Sequence, residues 1–251
     1  MKSMVMRVLT VCGLACGLTG CAMFRSMPRV PVARAVYTSE PIQIDGVLNE
    51  AAWQRATVIS NFYIPETYAT VVSPTAARVL WDENFLYVAF DASDQDVWGY
   101  LKNHDDGTCR EDVLEVFVQP DVEQGCYYNF EINALGTCLD GWIPRGKTGL
   151  IGRGVLWNCP GVKTGAKVQG TLNDWQDVDT GWQLELAIPF ASLPTLNKRP
   201  PSPGDVWKIQ LSRYDYSVYL PEDGRELSAS IPLSKANFHL PGEWGSIRFE
   251  R

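Results

Sequence analysis

Alternating hydrophobic and polar residues mark much of the chain as strand. Residues 182–188 alternate strictly, which predicts a strand with one buried side and one solvent-facing side, and Pro189 ends it. The same short-strand pattern recurs in further segments: 42–44, 77–81, 85–90, 113–118, 126–133, 137–143, 206–214 and 245–249. The segments 77–81 and 85–90 predict a hairpin around residues 82–84.

Helical periodicity is almost absent. Asn49 is a candidate N-cap for a short helix that brings Trp53 to its apolar side, and residues 190–193 suit one helical turn. Many short strands separated by Gly and Pro predict an all-β fold. We expect a β-sandwich of antiparallel sheets, jelly-roll or immunoglobulin-like, with one or two short helices, over residues 39–251.

The first 21 residues predict the location of the protein. Lys2 and Arg7 precede a short apolar run, 8–18, which is too short to span a bilayer as a helix. The run ends in Leu-Thr-Gly-Cys at residues 18–21, which resembles a bacterial lipobox. We therefore predict a lipoprotein signal peptide at 1–20, a lipid anchor on Cys21 and a tether over 21–38. Ala22 carries no inner-membrane retention signal, so we expect an outer-membrane lipoprotein, at the periplasmic face or the cell surface.

The net charge limits the kinds of partner that the protein can bind. Without residues 1–20 the chain has 20 basic and 29 acidic residues, a net charge of −9, which gives no electrostatic basis for nucleic-acid binding.

Four cysteines remain beyond Cys21, and an even number in an exported domain suggests disulfides, the alternative being four free thiols. Extending the hairpin register brings residue 109 near residue 136, which predicts Cys109–Cys138 and leaves Cys126–Cys159. No Cys-x-x-Cys pair occurs and His104 and His239 are the only histidines, so we predict no zinc site.

Six phrases in order resemble family 9 carbohydrate-binding modules, especially single-domain lipoproteins that carry one. The resemblance spans about residues 40–250, and the phrases are Ile-Asp-Gly at 44–46 with Trp53, Arg-Val-Leu-Trp-Asp at 78–82 with Leu-Tyr-Val at 86–88, 111–117, 127–133 with Gly136, 181–190, and 204–213 with 238–245. It implies that two aromatic rings clamp a sugar while polar side chains bind its hydroxyl groups.

The resemblance also nominates carbohydrate-binding residues. Glu115 matches the family's acidic position, Asn133 its amide and Phe238 one clamp ring, while Glu131 stands where some members have a basic residue. Cys109 occupies the place of the second ring, for which Trp98 and Tyr100 are substitutes, and Ser230 replaces a frequent Trp. Arg213 completes the predicted site. Each has a structural alternative: a buried carboxylate at Glu115, a turn cap at Asn133, an ion-pair partner at Arg213 and an edge ring at Phe238.

The remaining function classes compete with saccharide binding. No catalytic motif is present, so we predict a non-enzyme and rank a glycoside hydrolase lower. All five methionines, Met1, Met4, Met6, Met23 and Met27, precede the domain, which disfavours a Met-ligated haem. A structural or protein-interaction lipoprotein that lost the sugar site is the main alternative. We expect a monomer that requires no cofactor, and the family allows structural calcium, for which Asp94 and Asp96 are loose candidates.

Overall fold

The computed structural model describes residues 27–146, 157–221 and 223–251, and these form one continuous sheet. The strands in chain order are β1 (Ala33–Tyr37), β2 (Thr75–Trp81), β3 (Phe85–Ser93), β4 (Val113–Gln119), β5 (Tyr127–Asn133), β6 (Cys138–Ile143), β7 (Lys163–Gln169), β8 (Gly181–Pro189), β9 (Val206–Tyr216), β10 (Arg225–Ala229) and β11 (Gly245–Glu250). Helix α1 spans Ala51–Arg55, and 3₁₀ turns cover Thr108–Arg110 and Phe190–Ser192. No helix in these ranges is both long and apolar enough for a membrane span.

The sheet is nearly closed and β-sandwich-like. Its strand order is β6-β5-β4-β9-β11-β1-β2-β3-β8-β7, with β10 paired to β9 beside β11. The two edges approach each other, since the Thr164 hydroxyl of β7 donates to the Gly136 carbonyl before β6 at 2.7 Å. The predicted all-β fold, rich in strand and poor in helix, is confirmed at this level, although it is one wrapped sheet rather than two separate antiparallel sheets.

Strand β1 corrects two predictions. It runs parallel to both neighbours, with Ala33 opposite Ile247 and Val36 opposite Leu80, so the sheet is not purely antiparallel. Ala35 is fully buried. Residues 33–37, predicted as part of the tether, therefore belong to the folded domain, which begins before residue 39. The predicted signal peptide and Cys21 lie outside the described residues.

The main core lies inside the wrapped sheet, between strands from both halves. Val116, Phe130, Leu184 and Phe90 are fully buried there, as alternation requires. A smaller cluster occupies the opposite face of β4, β5 and β9, where the segment between β10 and β11 covers it. Alternate residues of these strands therefore face two different apolar layers, which places several predicted site residues out of reach of solvent.

Candidate functional site

An open groove of about 400 Å³ lies at one end of the sheet and is walled by aromatic rings. The Trp98 and Tyr100 rings are neighbours, with centroids 6.2 Å apart and planes at 33°. Tyr100 is 59% exposed and Trp98 is half-buried. The groove is lined by Trp98, Tyr100, Arg110, Glu111, Tyr216, Ser217, Val218, Asp223 and Gly224. Of the six predicted contacts, the structure brings only Trp98 and Tyr100 to this groove.

Two adjacent buried carboxylates hold the walls of the groove in place. Glu111 accepts the backbone N–H of Tyr100 at 2.6 Å, which fixes the outer aromatic wall. Asp112 accepts the N–H of Trp98 at 2.6 Å and that of Tyr216 at 2.7 Å, so it joins the two walls. Burial raises the pKa of Asp112 well above its usual range, and the nearby acids add to this. The Glu111-Asp112 dipeptide thus shapes the groove by its hydrogen bonds to backbone.

Asp96 orients the Trp98 ring from below. It is fully buried, accepts the indole N–H of Trp98 at 3.0 Å and the Val218 N–H at 2.9 Å, and also accepts the Ser217 hydroxyl. The indole edge is therefore occupied, while the ring remains half-buried at the groove surface. Asp96, a loose calcium candidate in the sequence, has this positioning role in the structure.

Asn133 is a positioning residue in the structure rather than the predicted surface contact. It is fully buried, and its amide donates to Glu111 and, at 2.8 Å, to the Leu101 carbonyl. Its carbonyl oxygen accepts the N–H of Thr137 at 2.8 Å and so caps the turn before β6. All these partners belong to the chain. Asn133 is therefore placed as a cap of the turn before β6, which was the structural alternative to a saccharide contact.

Arg213 is likewise fully enclosed, which corrects its assignment as a saccharide contact. In the β4–β9 register it lies opposite Leu114, so its side chain points to the core side. Its guanidinium lies 2.8 Å from Asp94 and 3.0 Å from Asp215. Burial raises the pKa of Asp94 to about 7, while Arg213 opposes that shift.

The carboxylates around Arg213 also show whether Asp94, a calcium candidate from the sequence, lies in a possible calcium site. The carboxylates of Asp94, Asp112 and Asp215 converge within 4.8 Å. Calcium takes six to eight oxygen ligands, whereas here Arg213 already supplies the positive charge and both Asp112 oxygens accept backbone N–H groups. These residues therefore do not fit a calcium site.

Glu115 and Glu131 form a buried carboxyl pair on the opposite face of the sheet. They are paired across β4 and β5, and Ser212 flanks Glu115 on β9. Burial and mutual repulsion raise the pKa of Glu115 well above its usual range, and burial raises that of Glu131 to about 7. Glu115 is only 3% exposed, so the buried-carboxylate alternative describes its placement in this structure.

Phe238 is also buried, at 2% exposure, which corrects its assignment as a clamp ring. Its ring meets that of Tyr214 edge to face with centroids 5.2 Å apart, and its carbonyl accepts the Trp244 indole N–H at 2.8 Å. Next to it, burial lowers the pKa of His239 to about 4, so the ring that faces the Tyr127 hydroxyl is neutral at physiological pH.

Sequence reasoning missed two groups of residues. Arg110 lines the groove from the 3₁₀ turn before β4, and Tyr216 and Asp223 line it from the end of β9 and the β9–β10 connection, so no local pattern joins them. Asn129 on β5 and Gln210 on β9 lie on either side of Phe117, on the same face of the sheet as Glu115. Each has a buried side-chain atom that finds no hydrogen-bond partner in the described ranges. The signal for the second group was present, since polar residues alternate with core residues in both strands.

The predicted disulfides do not form in the described residues, where all four cysteines are free thiols. Cys109 is exposed in the 3₁₀ turn, where the chain has left the ladder of β4, whereas Cys138 points into the main core. The Cys159 N–H donates to the Asp140 side chain on β6. Asp140 is paired with Phe130 of β5, and Phe130 is four residues along the chain from Cys126. At roughly 3.3 Å per residue that separation is about 13 Å, which keeps Cys126 away from Cys159.

Comparisons with known proteins agree with this architecture. A family model described as "Carbohydrate family 9 binding domain-like" matches residues 44–249. A comparison with curated protein sequences finds no match.

Solved structures show the same fold. A carbohydrate binding module family 9 (CBM9) from Caldicellulosiruptor kristjanssonii, in complex with cellotriose, superposes with a TM-score of 0.58 at 16% identity, covering 88% of this chain and 94% of that one. A CBM9 from the same organism in complex with glucose gives 0.53 at 16% identity, with 87% and 96% covered. A putative carbohydrate-binding protein from Bacteroides uniformis ATCC 8492 gives 0.57 at 17% identity, with 83% and 85% covered.

Proposed function

The chain belongs to the family 9 carbohydrate-binding domains, as its sequence predicted, and from that premise we propose that it is a non-catalytic lipoprotein that binds a saccharide in the aromatic groove. The observation that carries the proposal is the pair of neighbouring rings, Trp98 and Tyr100, at the surface of an open groove. The solved relatives bound to cellotriose and glucose support the ligand class.

The groove offers both kinds of contact that a sugar requires. The apolar C–H face of a pyranose can stack on Tyr100, whose ring is largely exposed. Arg110 and Asp223 line the same groove with exposed side chains that can hydrogen-bond hydroxyl groups. Tyr216 also lines the groove, and its ring is fixed there because its hydroxyl donates to the Cys109 carbonyl at 2.8 Å. The arrangement suits weak binding of one or a few sugar units in polysaccharide capture or breakdown.

The acids of the groove favour binding over hydrolysis. A glycosidase needs two carboxyl groups about 5–9.5 Å apart, both facing the scissile bond. Glu111 is buried and bonded to backbone and to Asn133, while Asp223 lies 3.5 Å from Arg225 in an ion pair. Neither is arranged as a free acid across a cleft, so we propose no hydrolytic step.

The lipid anchor on Cys21 would hold the groove near a membrane, which we propose to be the outer membrane. The tether between Cys21 and β1 covers about eleven residues and includes Pro28 and Pro31. Such a protein would concentrate saccharides at the envelope and pass them to other proteins.

The test is saccharide binding by the full chain and by Tyr100→Ala. Calorimetry with glucose, cello-oligosaccharides and a broader glycan panel should show binding by the wild type. Loss of stacking should weaken it about tenfold, by analogy with the 1–3 kcal/mol of base stacking on aromatic rings. Tyr219→Ala is the matched control, because Tyr219 is 45% exposed but does not line the groove.

The outcome separates this proposal from the second candidate, a structural or protein-interaction lipoprotein. That candidate is favoured by the burial of Glu115, Asn133, Arg213 and Phe238, the four other predicted contacts. Saccharide binding that Tyr100→Ala leaves unchanged would place the site elsewhere. No binding to any glycan by the wild type would favour the second candidate.

A further inference from the structure

Three potential metal ligands converge between the loop after Tyr100 and strand β6. His104 Nε2 lies 3.5 Å from Asp105 Oδ1 and 3.7 Å from Asp140 Oδ1. One ligand atom from each of the three residues falls within 4.8 Å of the others. The cluster is separate from the aromatic groove, since none of its members lines that groove.

The oxygen atoms that face His104 are buried and have no hydrogen-bond partner among the described residues. Asp140 is 1% exposed, and its Oδ1 accepts no hydrogen bond from any residue that the structure describes. Asp105 Oδ1 is buried and, within the same part of the chain, also has no partner. Buried carboxylate oxygens are costly unless they are paired with a donor or a cation. Two such atoms aimed at one imidazole nitrogen therefore indicate that a positive group belongs between them.

The distances suit an ion rather than direct hydrogen bonds. A hydrogen bond from an imidazole N–H to oxygen spans about 2.7–3.2 Å, which both contacts exceed. Ligands at about 2.0–2.2 Å around a tetrahedral Zn²⁺ lie roughly 3.4 Å from one another. The distances from His104 Nε2 to the two carboxylate oxygens, 3.5 and 3.7 Å, are close to that ligand-to-ligand distance.

The surrounding bonds orient these ligands before any ion arrives. The second oxygen of Asp140 accepts the Cys159 N–H at 3.1 Å. The loop is fixed to β6 by the Asp105 N–H, which donates to the Cys138 carbonyl at 3.1 Å. Outer hydrogen bonds of this kind aim metal ligands in known sites. The His104 side chain is 41% exposed, so the cluster is open to solvent on one side.

We propose that His104, Asp105 and Asp140 form a binding site for a divalent transition-metal ion of the Zn²⁺ class, with water completing a tetrahedron. An imidazole ligand and only three protein ligands favour Zn²⁺ over Ca²⁺, which takes six to eight oxygens. The chain has no Cys-x-x-Cys pair beyond residue 21, and on that ground its sequence predicts no zinc site, but this cluster needs no thiolate. The bound ion would fasten the loop between Tyr100 and Arg110 to β6.

The experiment is calorimetric titration of the metal-free full chain with Zn²⁺, in the presence of a non-chelating reductant. The wild type should bind one equivalent saturably. His104→Ala and Asp140→Asn should each weaken binding at least about tenfold, the loss that even an outer partner of a metal ligand can bring. Asp177→Asn is the matched control, because it removes one exposed carboxylate elsewhere and should leave the affinity unchanged.

Co²⁺ as a spectroscopic probe identifies the ligands. The wild type should give the visible bands of tetrahedral Co²⁺ without a thiolate charge-transfer band, and His104→Ala should lose them. Three results would overturn the proposal: no saturable Zn²⁺ binding, binding that is lost in Cys109→Ser but kept in His104→Ala, or a preference for Ca²⁺ that His104→Ala leaves intact. Saccharide affinity is measured separately, so either proposal can fail alone.

Discussion

At the residue scale, burial decides the role of Phe238. Its ring packs against Tyr214 in the cluster that also contains Phe117 and Trp244, and its backbone carbonyl is bonded to the Trp244 indole. A ring in that position contributes mainly to the free energy of unfolding. Its resemblance to a clamp ring depends on its place in the sequence and not on its exposure.

We expect Phe238→Ala to destabilise the protein by about 3–5 kcal/mol, since it leaves a cavity among packed rings. Saccharide affinity of the folded fraction should be unchanged. Chemical denaturation and calorimetry at a temperature where the variant is folded would check this, with Phe238→Leu as the milder control. A large loss of saccharide affinity in a fully folded Phe238→Ala would instead restore the predicted clamp.

The carboxyl pair gives a second residue-scale prediction, on pH. The pKa of Glu131 is raised from 4.5 to about 7 in the folded protein, mainly by burial. Between these values the unfolded chain has lost this proton while the folded protein keeps it. The contribution of Glu131 to stability is therefore present below about pH 4.5 and is lost as the pH rises to about 7.

Glu131→Gln should remove this loss, which we expect to be about 1–3 kcal/mol. The difference in unfolding free energy between wild type and variant, measured at pH 5 and pH 8, isolates the effect. Glu123→Gln, at an exposed position, should show no such difference between the two pH values. An equal response of both variants would mean that Glu131 is not the group responsible.

At the element scale, Glu185 of β8 ties the start of the domain to the sheet. It is fully buried and accepts the N–H groups of Asp45 and Gly46 at 2.9 Å and the Trp53 indole N–H at 2.8 Å. Three residues of the Ile-Asp-Gly…Trp phrase therefore converge on one carboxylate. The family phrase reflects this packing rather than contact with a ligand.

Gly165 of β7 allows the Asp45–Gly46 turn to lie directly on the sheet. A Cβ atom at residue 165 would come within 2.7 Å of the Gly46 nitrogen, which is backbone and cannot move aside cheaply. We expect Gly165→Ala to destabilise the protein by about 1–3 kcal/mol. Gly242→Ala is the control, because a Cβ there meets nothing within 4 Å. Equal denaturation midpoints for the two variants would contradict the close approach.

At the scale of the whole molecule, the predicted lipid anchor would determine where the domain works. Cys21→Ser should move the protein from the membrane fraction to the soluble fraction, since about 0.8 kcal/mol per buried CH₂ of the acyl chains is lost. Fractionation after a salt wash is the measurement, and Cys16→Ser, within the predicted signal peptide, is the control. A serine variant that stays with the membrane would contradict the lipoprotein prediction.

Closure of the sheet explains why the site was harder to predict than the fold. The register places Arg213 opposite Leu114 on the core side, whereas its neighbours Ser212 and Tyr214 face the other layer. Alternation shows that adjacent residues point to opposite sides, but it does not show which side faces solvent. Here both faces of β4, β5 and β9 are covered, so polar residues on either face become structural.

Most of the strands and the family were predictable from the sequence, because both depend on order and spacing along the chain, although β1, β7 and β10 were not predicted. The lipoprotein leader stays a prediction. Only the tertiary structure placed β1 between two parallel neighbours, kept Cys109 and Cys138 apart and assembled the groove from Trp98, Tyr100 and Tyr216. The physical reason is that two kinds of contact here are long-range. Strands that are distant in sequence pair with each other, and the segment between β10 and β11 buries one face of β4, β5 and β9. No local pattern in the sequence encodes such contacts.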